Sequence, residues 1–307
     1  MTSPPPPAPG DSRLALGAGI GAYVTWGIIP LAFQGLAHLG ATPLEMLAQR
    51  TLWAAPTAAL LVLIARQRRH AMEVIASPRT LAWLVLSALL IGGNWMVFIV
   101  AVSTGHVLDT SLGYYINPLF NMAAGAVIFR ERIDRIGMTA IALAAVGVVL
   151  QAVALGHVPV IAIFLALTFC GYGIVRKRVS AEAQTGLMVE SAILGLVGLG
   201  YVIWLAVHGA SRFGADPALT VALMASGPLT AFPLVLFAYA ARRLPFSSMG
   251  FLQFIAPTMT FVMGVMQGEL LTPLRILSFV FIWGGVAVFV FGAWRRSRRL
   301  APTQSAA

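Results

Sequence analysis

Charge is what this chain has least of. Asp, Glu, Lys and Arg make up 10% of its 307 residues, where an ordinary soluble domain carries roughly 25%. Lysine is nearly absent: Lys177 stands alone and follows Arg176. No Gly-Lys phosphate loop can therefore be built, which excludes ATP-driven transport powered within the chain. The single Cys170 excludes an intrachain disulfide and a cysteine metal centre. No HExxH and no GxSxG occurs, and Cys170 has no histidine near it on its helix. The signatures of an intramembrane hydrolase are thus missing, and no catalytic residue, metal or cofactor is expected.

Apolar residues fill the space that charge leaves. They make up 59% of the chain, and mean hydropathy is +0.88. Such a composition belongs to an all-α membrane protein, with the lipid bilayer as its solvent. Ten segments are long enough to cross roughly 30 Å of hydrocarbon at about 1.5 Å per residue. They lie near 14–35, 43–65, 80–103, 107–129, 134–154, 157–175, 186–208, 219–241, 246–268 and 272–294. Residues 1–13 form a Pro-rich tail expected to be disordered, and 295–307 a basic tail. The run from Leu14 lacks a small-residue cleavage site and reads as a retained first span.

The net charge of +10 would suggest nucleic acid if it were spread over a soluble surface. Here it is confined to short gaps between apolar runs. Arg13, Arg66, Arg68, Arg69, Arg79, the 130–135 run, 176–178, Arg242, Arg243 and the C-terminal arginines all fall on one side. Only Arg212 and Arg275 fall on the other. The positive-inside rule then puts both termini in the cytoplasm of a multi-pass protein of the inner membrane, with no nucleic-acid partner.

The chain also repeats itself. A shift of 139 residues lays FIVA (98–101) on FAYA (237–240), INP (116–118) on IAP (255–257), and Gly125 on Gly264. WGI at 26–28 meets YGI at 172–174, and Glu45 meets Glu190, at slightly larger shifts. Five spans per half is an odd number, so 14–154 and 157–294 are expected to enter the membrane from opposite sides. Inverted five-helix repeats of this kind are typical of secondary transporters, whose site lies between the halves.

IGGNWMVFIVAV, SLGYYINPLFN, FRER, AEAQTG, SMGFLQFIAPT and the FIW of the last span resemble RarD-type members of the EamA family, within the drug/metabolite transporter superfamily. The resemblance covers nearly all of the chain outside its two tails. It implies a ten-helix inner-membrane permease made of two EamA repeats that moves a small organic metabolite or drug; the RarD label carries an association with chloramphenicol sensitivity. One departure is QGEL, where Glu269 falls one position short of the equivalent of Glu131.

The polar residues inside the spans are the candidate site. Tyr114, Asn117 and Asn121 are spaced to share one helix face, and Pro118 deprives the Tyr114 carbonyl of its helical donor. Gln253 and Pro257 do the same in the second half, so Pro118 and Pro257 are candidate hinges facing one cavity. Asn94, Trp95 and Phe98, with Trp26, Trp53 and Tyr172, add indole, phenol and amide groups suited to a small amphipathic or aromatic solute. Arg50 sits within the second span and wants an anionic partner. Glu45 lies about 140° away around the helix, so Asp109 or a solute carboxylate is the alternative. Glu190, Glu45 and Asp109 are the carboxylates that permit proton coupling. Glu131 and Glu269 read as helix-end caps, and the histidines at 38, 106, 157 and 208 as outer-loop residues. A non-transporting scaffold or a facilitative channel is the competing function.

Overall fold

The computed structural model describes residues 9–103, 107–155, 158–266 and 272–300, and every regular element among them is helical. In chain order these are α1 (Pro9–His38), α2 (Pro43–Ile64), α3 (Arg68–Ala76), α4 (Pro78–Ser103), α5 (Val107–Val127), α6 (Arg135–Leu155), α7 (Val160–Arg178), α8 (Ala183–Val207), α9 (Pro217–Arg243), α10 (Phe246–Gln253), α11 (Ile255–Met266) and α12 (Pro273–Leu300).

Local chemistry sets several of these ends. The Thr42 hydroxyl accepts from the Glu45 N–H at 3.3 Å and Pro43 opens α2. The Asp216 carboxylate accepts from the Leu219 N–H at 2.8 Å and Pro217 opens α9. Each is a side-chain cap followed by a proline whose missing N–H costs nothing in the first turn. At the other end of α9, Lys177 donates to the carbonyls of Ala241 (3.0 Å) and Leu244 (2.5 Å). The chain's one ammonium thus sits at the negative end of a helix.

Among the described residues, seven helical segments are long and apolar enough to cross a membrane: Ser12–His38, Pro43–Ile64, Pro78–Ala101, Arg135–Val153, Val160–Arg178, Ala183–Val207 and Pro217–Arg243. The chain is accordingly a multi-pass membrane protein. The remaining expected spans fall on α5, on α10 with α11, and on α12, whose apolar part runs Ile276–Gly292. α5 carries Tyr114, Tyr115, Asn117 and Asn121 within its length.

Two elements differ from the sequence reading. The gap after the second span holds a short amphipathic helix, α3, which buries Ala71 and Val74 and leaves Met72 and Ile75 exposed. The ninth expected span is two helices broken at Phe254, one residue past Gln253, whose carbonyl loses its helical donor to Pro257. α5, by contrast, runs as one helix through Pro118.

The principal packing pairs are α6 with α12, α2 with α8, α5 with α7, α1 with α9, α2 with α9, α5 with α10, α4 with α7 and α1 with α11. α6 and α12 touch almost backbone to backbone. A Cβ on Gly147 would stand 2.6 Å from the Ser278 carbonyl oxygen, and one on Gly285 2.6 Å from that of Ala140. As the contact moves down α6 from 147 to 140 it moves up α12 from 278 to 285, so these two helices are antiparallel.

Candidate functional site

The middle of the bundle holds a cavity of about 10 Å³ walled by Thr51 and Ala54 of α2, Ile91 and Trp95 of α4, Glu190 and Ser191 of α8, and Thr230 of α9. That is room for about one water molecule. The wall is mostly apolar, with a few hydroxyls, an indole and one carboxylate converging on it.

Trp95 leads from this cavity to Arg50. The guanidinium carbon lies 4.1 Å from the centre of the Trp95 ring and 5.3 Å from that of Phe33. Arg50 is 9% exposed, and its Nε is buried without an acceptor. Tyr114 is its electrostatic neighbour and packs against Phe98 at 5.8 Å between ring centres. Glu45, offset from Arg50 around the helix, makes no ion pair with it among the described residues. Glu45 Oε1 accepts from the Ser211 hydroxyl (3.2 Å) and from the N–H groups of Arg212 (2.7 Å) and Phe213 (3.2 Å), while its Oε2 is buried without a partner. It ties the start of α2 to the loop before α9. Asp109 falls on α5, but its side chain lies outside the described residues, as do His106, His157 and Glu269.

On the opposite wall, Glu190 is 2% exposed and sits in a polar cluster. Its Oε1 accepts from the Ser87 hydroxyl at 2.5 Å and lies 3.4 Å from Nη1 of Arg176. Tyr172 faces the same carboxylate. Arg176 is fully buried and also donates to the Ala183 carbonyl at 3.1 Å. Sequence reading assigned Arg176 to a basic loop. α7 instead continues to Arg178, and the spacing of four from Tyr172 turns Arg176 onto the same inward face. Gly186 makes the space, since a Cβ there would overlap the guanidinium.

The expected polar stripe on α5 divides. Tyr114 is 43% exposed and faces the Arg50 side, while Asn117 and Asn121 are buried. Asn121 Nδ2 donates to Gln253 Oε1 at 2.5 Å, and the Tyr115 hydroxyl donates to the Pro257 carbonyl at 3.4 Å. The two proline-bearing segments therefore meet each other, with the Asn117 and Asn121 carbonyl oxygens buried and unpartnered beside the seam. Asn94 pins α4 to α7 through the Leu165 carbonyl (2.8 Å) and the Thr168 hydroxyl (2.9 Å). Trp26 and Tyr172 belong to an aromatic core with Tyr23, Phe169 and Phe237, whose ring centres lie 5.3 to 6.3 Å apart. Trp53 hydrogen-bonds Gln49 at 3.1 Å and stacks on Phe213.

Residues 13–153 match the EamA-like transporter family. An "Uncharacterized transporter" of Vibrio cholerae is 39% identical over 281 residues, spanning 91% of this chain and 92% of that protein. "Protein RarD" of Escherichia coli is 39% identical over 282 residues, spanning 91% and 95%. One solved structure, at 18% identity, superposes with a TM-score of 0.67 over 94% of this chain and 98% of its own, a likeness of fold.

Proposed function

Because the chain belongs to the RarD-type branch of the EamA-like transporter family, we propose that it is a secondary transporter moving small organic solutes across the inner membrane. In this reading the two halves, 14–154 and 157–294, are inverted five-helix repeats with both tails cytoplasmic, and they exchange access to a central site.

The observation that carries the reading is the make-up of the cavity wall. α2 and α4 are the second and third expected spans of the first half; α8 and α9 hold the same places in the second. The site thus lies where equivalent helices of two copies converge, as in other inverted-repeat carriers. The pairing of helices supports the same symmetry. Exchanging the halves turns α1·α9 into α4·α7, α2·α9 into α4·α8, and α5·α7 into α1·α11, and all six pairs are present. The α6–α12 seam supports it at residue level. One and the same shift along the chain carries Ala140 onto Ser278 and Gly147 onto Gly285, so the two close contacts exchange with each other. With α6 and α12 antiparallel, the axis that exchanges them runs across the helices.

A cavity the size of one water admits no organic solute, so loading requires the halves to move. Pro118 and Pro257 are the hinges in this account. The break at Phe254 frees α10 from α11, while Asn121–Gln253 and Tyr115–Pro257 hold the seam about which they turn. Glu190, a carboxylate on the cavity wall, is the proton carrier if transport is coupled to protons.

The test is solute flux in proteoliposomes. Flux that rises with an opposing solute gradient and falls in Pro257→Ala is expected. Folded, inserted protein with no solute flux supports the scaffold alternative, and flux indifferent to solute on the far side supports a channel.

A further inference from the structure

We propose that Arg50 is the anion-binding residue of the solute site, and that the preferred solutes are aromatic carboxylates. This deepens the transporter reading and rests on it for the identification of the ligand as cargo.

Among the described residues, the other charged groups inside the bundle each have hydrogen-bond partners. Arg176 is held by Glu190 and a carbonyl. Glu45 receives two backbone N–H groups and a hydroxyl. Lys177 caps α9. Arg50 is the exception: among the described residues no oxygen accepts from its guanidinium, although nine-tenths of the residue is buried and the Nε is sealed from solvent. An unpaired charge at such a position is costly, and a bound anion removes that cost. Glu45, the nearest acid in sequence, holds the loop through Oε1 and makes no ion pair with Arg50; its Oε2 is buried without a partner.

The stacking then defines what the anion looks like. The guanidinium carbon lies over the Trp95 ring, within cation–π reach at 4.1 Å, and no oxygen among the described residues accepts from its N–H groups. The in-plane fork of N–H groups is left over, and that fork matches a carboxylate with two parallel hydrogen bonds. Rings gather at the same spot: Phe33 and Trp95 lie against the guanidinium, Tyr114 is its electrostatic neighbour, and Phe98 packs on Tyr114. Trp95 is also a wall of the central cavity. A solute with its carboxylate on Arg50 and its ring toward Trp95 therefore sits on the route into the bundle centre.

Binding is read by quenching of tryptophan fluorescence in detergent-solubilised protein, with benzoate, benzamide and benzylammonium as probes. Benzoate is expected to bind at least about tenfold more tightly than benzamide, with benzylammonium weakest. Arg50→Met should weaken benzoate about 10- to 100-fold, as loss of a charge-assisted pair implies, while leaving benzamide unchanged. If Arg50→Met does not fold, Arg50→Lys decides: it keeps charge without the fork, so benzoate weakens yet stays preferred over benzamide. Equal binding of benzoate and benzamide by the wild type, or undiminished benzoate affinity in either variant, overturns the proposal. Because the assay needs no flux, benzoate binding without transport overturns the carrier reading alone. Transport of neutral solutes without benzoate selectivity overturns the Arg50 site alone.

Discussion

Arg176 and Glu190 form an ion pair of 3.4 Å in which neither side chain reaches solvent. A buried pair is weak evidence for stability but is costly to break singly, because the survivor is left charged and dry. Glu190→Ala is therefore expected to destabilise the protein by about 3–5 kcal/mol. Arg176→Met with Glu190→Leu should recover most of that loss. Thermal unfolding of the single and double variants in detergent measures the difference. A double variant no better than the singles would mean the two residues do not act as a pair.

The same pair gives a pH experiment. If Glu190 carries the coupled proton, Glu190→Gln should remove the response of flux to an imposed pH gradient while retaining solute exchange. Measuring exchange with and without the gradient in one preparation separates coupling from folding.

Gly186 should tolerate no side chain while Arg176 is present, since a Cβ there overlaps the guanidinium. Gly186→Ala is expected to unfold at markedly lower temperature than the wild type, and adding Arg176→Met should restore much of the loss. At the α6–α12 seam, Gly147→Val and Gly285→Val should each cost about 1–3 kcal/mol by overpacking. The two-fold relation predicts that their costs are alike.

Asn121 and Gln253 are joined at 2.5 Å with both side chains buried. Replacing either by leucine leaves the other unsatisfied, at about 1–3 kcal/mol. The double replacement is expected to cost less than the sum in thermal unfolding, while slowing solute exchange if this seam is the pivot.

Much of this architecture was legible in the sequence because hydrocarbon imposes coarse, additive rules. Apolar run length located the expected spans on helices, whereas the caps at Thr42–Pro43 and Asp216–Pro217 emerge only from the structure. The break at Phe254 lies beside Gln253, whose carbonyl loses its donor to Pro257, yet the same chemistry at Pro118 leaves α5 continuous, so a proline alone does not tell a split from an unbroken helix. What stayed hidden depended on partners distant in sequence. Nothing in RKR says which of three basic residues turns inward; only the continued helix and the absent side chain of Gly186 decide it. Nor does helix spacing reveal that Asn121 meets Gln253 while Tyr114, on nearly the same face, turns toward Arg50. Glu45 was legible as an intramembrane acid but not as the anchor of a loop 166 residues away at Ser211. α3 was missed because nine residues are too few for a strong periodic signal.

The proposed opposite insertion of the halves can be read by labelling from outside. Single cysteines at Arg69 and Arg130 should react with a membrane-impermeant maleimide only from the cytoplasmic side, and one at Arg212 only from the other. The native Cys170 is buried and should contribute little background.

The most direct measurement is trans-stimulation in proteoliposomes, using the solute with the tightest measured binding. Labelled solute inside is expected to leave faster when unlabelled solute is present outside, as a carrier with one alternately exposed site requires. Efflux equal to that of protein-free liposomes, with folded protein in the membrane, contradicts the account.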